Sequence, residues 1–114
     1  MKQERRKAAR RRTSYYVPLV EVDTGNILGH LIDITGKGMM IDSKKEVPAG
    51  KAIRVRLDTT SDVADVSYIE FVARSKWCRN DPIEPYLYNV GFEITESSPH
   101  VAGILQKIAD RYGS

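Results

Sequence analysis

The sequence predicts an all-β domain that carries a single helix at its C-terminus. Short runs of β-branched and aromatic residues recur along most of the chain, with turn-forming residues between them. The final residues instead place apolar side chains at helical spacing. At 114 residues the chain has room for one modest core. This order indicates a small antiparallel barrel or curved sheet with the helix docked on it.

The first half of the chain predicts three strands. Residues 13–22 are rich in β-branched and aromatic side chains, and Pro18 marks an edge or a bulge there. The polar turn at residues 23–26 leads into the second strand, Ile27–Ile34. The third strand is predicted over residues 39–42, after a second polar turn.

The second half predicts three more strands. Within residues 51–58, apolar and charged side chains alternate from Ile53 to Asp58, which is typical of a strand with one buried face. A turn is predicted at residues 59–62, followed by a long strand over residues 63–77. The last strand is predicted over residues 86–94.

A helix is predicted to begin at Ser98, the N-cap, with Pro99 at the first helical position. Its apolar residues form one stripe, which consists of Val101, Ile104, Leu105, Ile108, Ala109 and Tyr112. An apolar stripe must be covered, either by the barrel or by another subunit.

The charge distribution divides this single domain, residues 1–114, into a basic arm and a mildly acidic body. Residues 1–12 hold seven basic side chains against one acidic, a net charge of +6, whereas the remaining residues carry −3. We predict a flexible arm at residues 1–12, a barrel at 13–97 and the helix at 98–114, because the arm has too little apolar content to order itself. The arm is expected to meet a polyanion.

The polar turn around which the prediction is built runs from Asp33 to Gly38, with the sequence Asp-Ile-Thr-Gly-Lys-Gly. Its glycines allow positive φ and leave room for a flat ligand. Asp33 and Thr35 are two residues apart, so on an extended backbone they point to the same face. A carboxylate, a hydroxyl and nearby arginines suit a ligand that has both phosphates and a nucleobase edge.

Two motifs in this order resemble those of the PilZ domain, a bacterial cyclic di-GMP receptor module. Its RxxxR motif is matched by Arg6 and Arg10, with Arg5 as the usual extra arginine in front. Lys7 and Arg11 have the same spacing, so the register stays open, although the first pair fits the family form better. The (D/N)xSxxG motif is matched from Asp33 to Gly38, with threonine in place of serine.

The resemblance implies a six-stranded antiparallel barrel with a C-terminal helix, and it assigns cyclic di-GMP binding to six residues. They are Arg5, Arg6, Arg10, Asp33, Thr35 and Gly38. In this scheme Arg6 and Arg10 contact phosphate and stack or pair with guanine, with Arg5 in support.

The resemblance also assigns roles within the turn. Asp33 accepts hydrogen bonds from a guanine edge, the Thr35 hydroxyl contacts guanine or phosphate, and Gly38 keeps the turn open. The implied mode of action is that ligand binding orders the arm and presents a new surface to a downstream protein that the sequence does not identify.

Several classes of function are disfavoured by the sequence. We find no catalytic motif, no metal-ligand spacing and no cofactor-binding loop, so we predict a binding module without catalytic residues, metal or cofactor. Trp77 and the tyrosines are assigned to the core and the barrel rim, although one of them could flank a bound guanine. One cysteine, Cys78, suits a reducing cytoplasm, and no membrane insertion is expected.

Two alternatives to the cyclic di-GMP receptor remain open. The first is a small barrel that binds RNA or DNA through its basic arm, which is disfavoured because the basic charge does not continue over the body. The second is a PilZ-like adaptor that has lost the ligand and works through protein contacts.

Overall fold

The structure is a computed structural model that describes residues 16–113, and all structural statements concern this part of the chain. It contains six strands followed by one helix. The strands are β1 (Pro18–Glu21), β2 (Ile27–Ile34), β3 (Gly38–Ser43), β4 (Ala52–Asp58), β5 (Tyr68–Asn80) and β6 (Tyr88–Glu96), and the helix is α1 (Pro99–Tyr112).

The six strands close into an antiparallel barrel in the order β1-β2-β3-β6-β5-β4. The barrel closes where β1 pairs with β4, with Leu19 opposite Leu57. The thirteen-residue strand β5 is long enough to pair with β4 along its first half and with β6 along its second. The predicted fold, a six-stranded barrel with a C-terminal helix, is therefore confirmed. The predicted arm at residues 1–12 lies outside the described residues.

The core fills the inside of the barrel with aliphatic side chains and two phenylalanines. Strand β4 is the clearest case, because Ile53, Val55 and Leu57 are buried while Arg54 and Arg56 between them are exposed. The alternation seen in the sequence thus matches the inner and outer faces of the wall. Because the interior is packed with side chains, any large ligand must bind outside it.

Helix α1 covers one end of this barrel. Its first turn is capped by Ser98, whose Oγ accepts the backbone N–H of Val101 at 3.1 Å, and Pro99 takes the first helical position as predicted. Ile104, Leu105 and Ile108 are buried in the barrel core. The apolar stripe of the helix therefore covers its own barrel, which decides between the two possibilities that the sequence left open.

The loop before β5 is where the strand prediction was wrong. Residues 63–77 were predicted as one strand, but β5 begins only at Tyr68. Val63 is buried at 2% exposure, yet its backbone N–H is bonded to the Thr60 carbonyl in a local turn. An apolar residue under a docked loop gives the same sequence signal as a strand residue. The first strand was predicted over residues 13–22, of which 13–15 lie outside the described residues, and in the described part β1 runs only from Pro18 to Glu21.

Within the described chain, the one helix is too short and too polar to cross a membrane.

Candidate ligand site on the outer wall

The turn between β2 and β3 is held together by Thr35. Its Oγ1 accepts the backbone N–H groups of Lys37, at 3.3 Å, and Gly38, at 3.1 Å. The Thr35 backbone N–H in turn donates to the Gly38 carbonyl at 2.8 Å, which closes the hairpin. The hydroxyl that was predicted to contact the ligand therefore also stabilises the turn from within.

Of the two glycines in this turn, Gly38 is required for space rather than for an unusual backbone angle. Neither glycine uses the positive φ that its lack of a side chain allows, since positive φ is found only at Gly25 and Gly50 among the described residues. A Cβ on Gly38 would lie 2.8 Å from the Phe92 carbonyl oxygen of β6. A Cβ on Gly36 would lie 2.3 Å from Oε1 of Gln106 on α1, which is the flexible end of an exposed side chain and can move aside. The turn is thus pressed against both β6 and the helix.

Asp33 reaches the outer wall because β2 contains a bulge. Leu31 pairs with Ile41 and Asp33 pairs with Met40, so one extra residue, Ile32, sits between them. Leu31 and Ile34 are buried, whereas Asp33 is only half-buried. Oδ1 of Asp33 accepts the backbone N–H of Ile34 at 2.9 Å. The bulge therefore aims a carboxylate outward from a strand that is otherwise strongly apolar.

Strand register places Asp33 in one outward row with Trp77. Asp33 is opposite Met40 on β3, Met40 is opposite Gly91 on β6, and Gly91 is opposite Trp77 on β5. The row crosses four neighbouring strands, so its ends are roughly 14 Å apart at the backbone. A carboxylate and an indole thus stand at the two ends of one row on the outer wall.

Trp77 lies flat on the wall because Gly91 has no side chain. A Cβ on Gly91 would lie 2.3 Å from Cε2 of the indole and 2.4 Å from Nε1. A second bulge, at Lys76 between Ser75 and Trp77, turns the indole outward, since Ser75 is fully buried. The assignment of Trp77 to the core or rim missed this position, because only the strand register reveals that a glycine lies opposite the tryptophan.

The next outward row, towards the other end of the barrel, is polar. Its members are His30, Asp42, Asn89 and Arg79, one from each of the same four strands. Asp42 is buried and accepts the Tyr16 hydroxyl at 2.8 Å and the His30 backbone N–H at 3.3 Å. The rings of Tyr16 and His30 stack at 4.8 Å. These contacts fix the wall beside the row that carries Asp33 and Trp77.

The predicted site residues divide into two groups. Asp33, Thr35 and Gly38 lie together at the turn and on the wall beside it, whereas Arg5, Arg6 and Arg10 lie outside the described residues. Within residues 16–113 there is no cluster of histidine, cysteine, aspartate and glutamate that could hold a metal ion.

A packed barrel with a polar turn and an aromatic platform on its outer wall belongs to the class of small β-barrel modules that present their functional surface outside. The family model of the PilZ domain matches residues 4–110. The chain therefore belongs to the PilZ domain family, which is a family of cyclic di-GMP receptors that act as binding modules rather than as enzymes. No curated protein and no solved structure matched the chain.

Proposed function

We propose that this protein is a cyclic di-GMP receptor that binds the dinucleotide on the outer wall of its barrel. The observation that carries the proposal is the outward row that ends in Asp33 on one side and in Trp77 on the other. Between them lie Met40 and Gly91, and of these two only Met40 carries a side chain. The ligand has two guanine bases and two phosphates. The row offers a carboxylate at one end and an aromatic ring at the other.

The two ends of the row suit a purine in different ways. The Asp33 carboxylate can accept hydrogen bonds from the N–H groups on the pairing edge of a guanine. The Trp77 indole offers a flat aromatic surface, on which a base stacks. We propose that Asp33 accepts hydrogen bonds from a guanine and that Trp77 supports a base by stacking.

The arm supplies the positive charge that the phosphates require. Arg6 and Arg10 are proposed to bind phosphate or guanine through their planar guanidinium groups, with Arg5 in support. Ordering twelve residues costs conformational entropy, which only the ligand contacts offset. Binding would then create a new surface of arm, ligand and barrel for a downstream partner protein, and the protein would act as a non-catalytic receptor in the cytoplasm.

Calorimetric titration with cyclic di-GMP tests this proposal. The variant that combines Arg6→Ala, Arg10→Ala and Asp33→Ala removes three charge-assisted contacts, so we expect affinity to fall at least roughly 100-fold. A matched control combines Arg54→Ala, Arg56→Ala and Glu70→Ala, three exposed residues on β4 and β5. This control variant changes the net charge by the same amount as the site variant, and it should bind cyclic di-GMP with the affinity of wild type.

The other outcomes of this titration separate the alternatives. Equal loss in the site variant and in the control would indicate nonspecific attraction by charge, as expected for a nucleic-acid-binding barrel with a steep dependence on salt. A folded wild-type protein that takes up no cyclic di-GMP would favour an adaptor that works through protein contacts. Either result would overturn the proposed function.

A further inference from the structure

Arg79 occupies the position where a stacked base would lie. Its guanidinium carbon is 4.3 Å from the centre of the Trp77 ring. Because the backbone of Gly91 lies against the other side of the indole, Arg79 covers the side that faces outward. A base cannot stack there unless the guanidinium moves. Trp77 is half-buried at the protein surface, and a cation–π contact at such a place is weak, so moving the guanidinium costs little.

A hydrogen-bond acceptor that Arg79 could reach lies on the neighbouring strand. Asn89 is directly opposite Arg79 in the pairing of β5 with β6. Its Oδ1 atom is buried and has no hydrogen-bond partner within residues 16–113. A buried acceptor without a partner is costly, and a guanidinium group has five N–H donors to offer. The side chain of Arg79 therefore has two possible partners, the indole of Trp77 and the amide oxygen of Asn89.

We propose that Arg79 gates the indole of Trp77 and then helps to select guanine as the base that stacks there. This role rests on the proposed function. In the free protein the guanidinium covers the indole. On binding, the guanine takes its place, and Arg79 moves aside to donate to the Oδ1 atom of Asn89 and to the base.

The chemistry of the purine explains why this residue would select guanine. Guanine presents two acceptors, O6 and N7, on one edge, and a guanidinium fork donates to both. Adenine presents an amino donor in place of O6, so the same fork meets a donor and loses one contact. Arg79 thus adds base selectivity at the end of the row that is remote from Asp33, outside both sequence motifs.

The test compares Arg79→Ala with wild type in titrations with cyclic di-GMP and with cyclic di-AMP. Trp77 is the single tryptophan of the chain, so its emission reports the stacking position directly. We expect the affinity of Arg79→Ala for cyclic di-GMP to fall roughly tenfold, while its affinity for cyclic di-AMP stays level or rises. Arg79→Lys should also lose selectivity, because an ammonium lacks the planar fork.

A matched control and a double-mutant cycle make the result specific. The guanidinium of Arg56 lies 5.2 Å from the Tyr68 ring on another part of the wall, so Arg56→Ala should change neither affinity. Asn89→Ala should weaken binding of cyclic di-GMP in wild type but not in Arg79→Ala, because the two residues act together.

Two results would overturn the role of Arg79, and only the second would also overturn the proposed function. If wild type binds cyclic di-GMP and Arg79→Ala keeps both its affinity and its preference over cyclic di-AMP, only the role of Arg79 fails. If wild type shows no change in Trp77 emission and no heat with cyclic di-GMP, the proposed function fails together with it.

Discussion

At the scale of single residues, Thr35 links the stability of the turn to the ligand site. Its hydroxyl accepts two backbone N–H groups of the turn, and the same hydroxyl is proposed to meet the ligand. Both lone pairs of the hydroxyl accept these N–H groups, and its proton points to the Gly38 carbonyl at the long distance of 3.4 Å. A ligand contact would therefore replace that long bond while the two accepted bonds still hold the turn. Threonine carries the same hydroxyl as serine, which explains why Thr35 can occupy a position where the family motif has serine.

Thr35→Ala removes this acceptor and leaves the N–H groups of Lys37 and Gly38 to solvent. We expect the free energy of unfolding to fall by about 0.5–1.5 kcal/mol, measured by urea denaturation, and cyclic di-GMP binding to weaken. Thr35→Ser is the control and should match wild type in both measurements. If Thr35→Ser were as damaging as Thr35→Ala, the methyl group rather than the hydroxyl would be the important part.

At the scale of elements, the end of α1 is fastened to the loop between β4 and β5. The carboxylate of Asp62 accepts hydrogen bonds from the hydroxyls of Thr60 and Tyr112, and it pairs with Nε of Arg111 at 2.8 Å. These contacts, the Thr60 hydroxyl first, lower the pKa of Asp62 below its ordinary value. The loop that was mistaken for a strand is therefore held to the helix by one acidic residue.

The lowered pKa of Asp62 makes a prediction about pH. A carboxyl group whose pKa is lower in the folded state stabilises the fold above its unfolded-state pKa, and this contribution disappears as pH falls through the folded-state pKa. We therefore expect Asp62→Asn to be less stable than wild type at neutral pH and to approach it in acid. Thermal unfolding across that pH range measures the difference.

The control for this experiment is Asp65→Asn, which removes a carboxylate from an exposed position in the same loop. It should track wild type at every pH. A gap between Asp62→Asn and wild type that stays constant down to strongly acidic pH would show that the charge of Asp62 is not what fastens the loop.

At the scale of the whole molecule, the helix closes the end of the barrel that carries the ligand-site turn. Gln106 of α1 lies against Gly36, and Gly113 after the helix lies against the carbonyl of Ile34. The buried residues of the helix belong to the same core as the strands. Packing of α1 therefore supports both the closed barrel and the turn beside Asp33.

Ile108→Ala tests this packing, because Ile108 is fully buried under the helix. Loss of the side chain leaves a cavity, so we expect the free energy of unfolding to fall by about 2–5 kcal/mol in urea denaturation. Lys107→Ala on the exposed face is the control and should change it by less than about 0.5 kcal/mol. Equal, small effects of both substitutions would contradict docking of this helix on the barrel.

Much of the architecture could be predicted from local patterns. The alternation around Ile53, Val55 and Leu57 depends only on the period of a strand, and Ser98 with Pro99 marks a helix start by local hydrogen bonding and a fixed φ. The turn at Thr35 was also predicted from local sequence, because its polar and glycine residues are adjacent in the chain. The predicted start of β5 was wrong at Val63, because burial of an apolar residue under a loop gives the same sequence pattern as burial in a strand.

The sequence by itself determined the strands, the helix and the residue types at the turn, since these follow from short-range periodicity, and the resemblance of its motifs to the PilZ family implied the six-stranded barrel. Only the tertiary structure decided that Asp33 and Trp77 share one outward row. Two bulges, at Ile32 and Lys76, each reverse the faces of a strand, and neither leaves a local signal. Register across four strands is a long-range property, and it places in one row two side chains that are 44 positions apart in the chain.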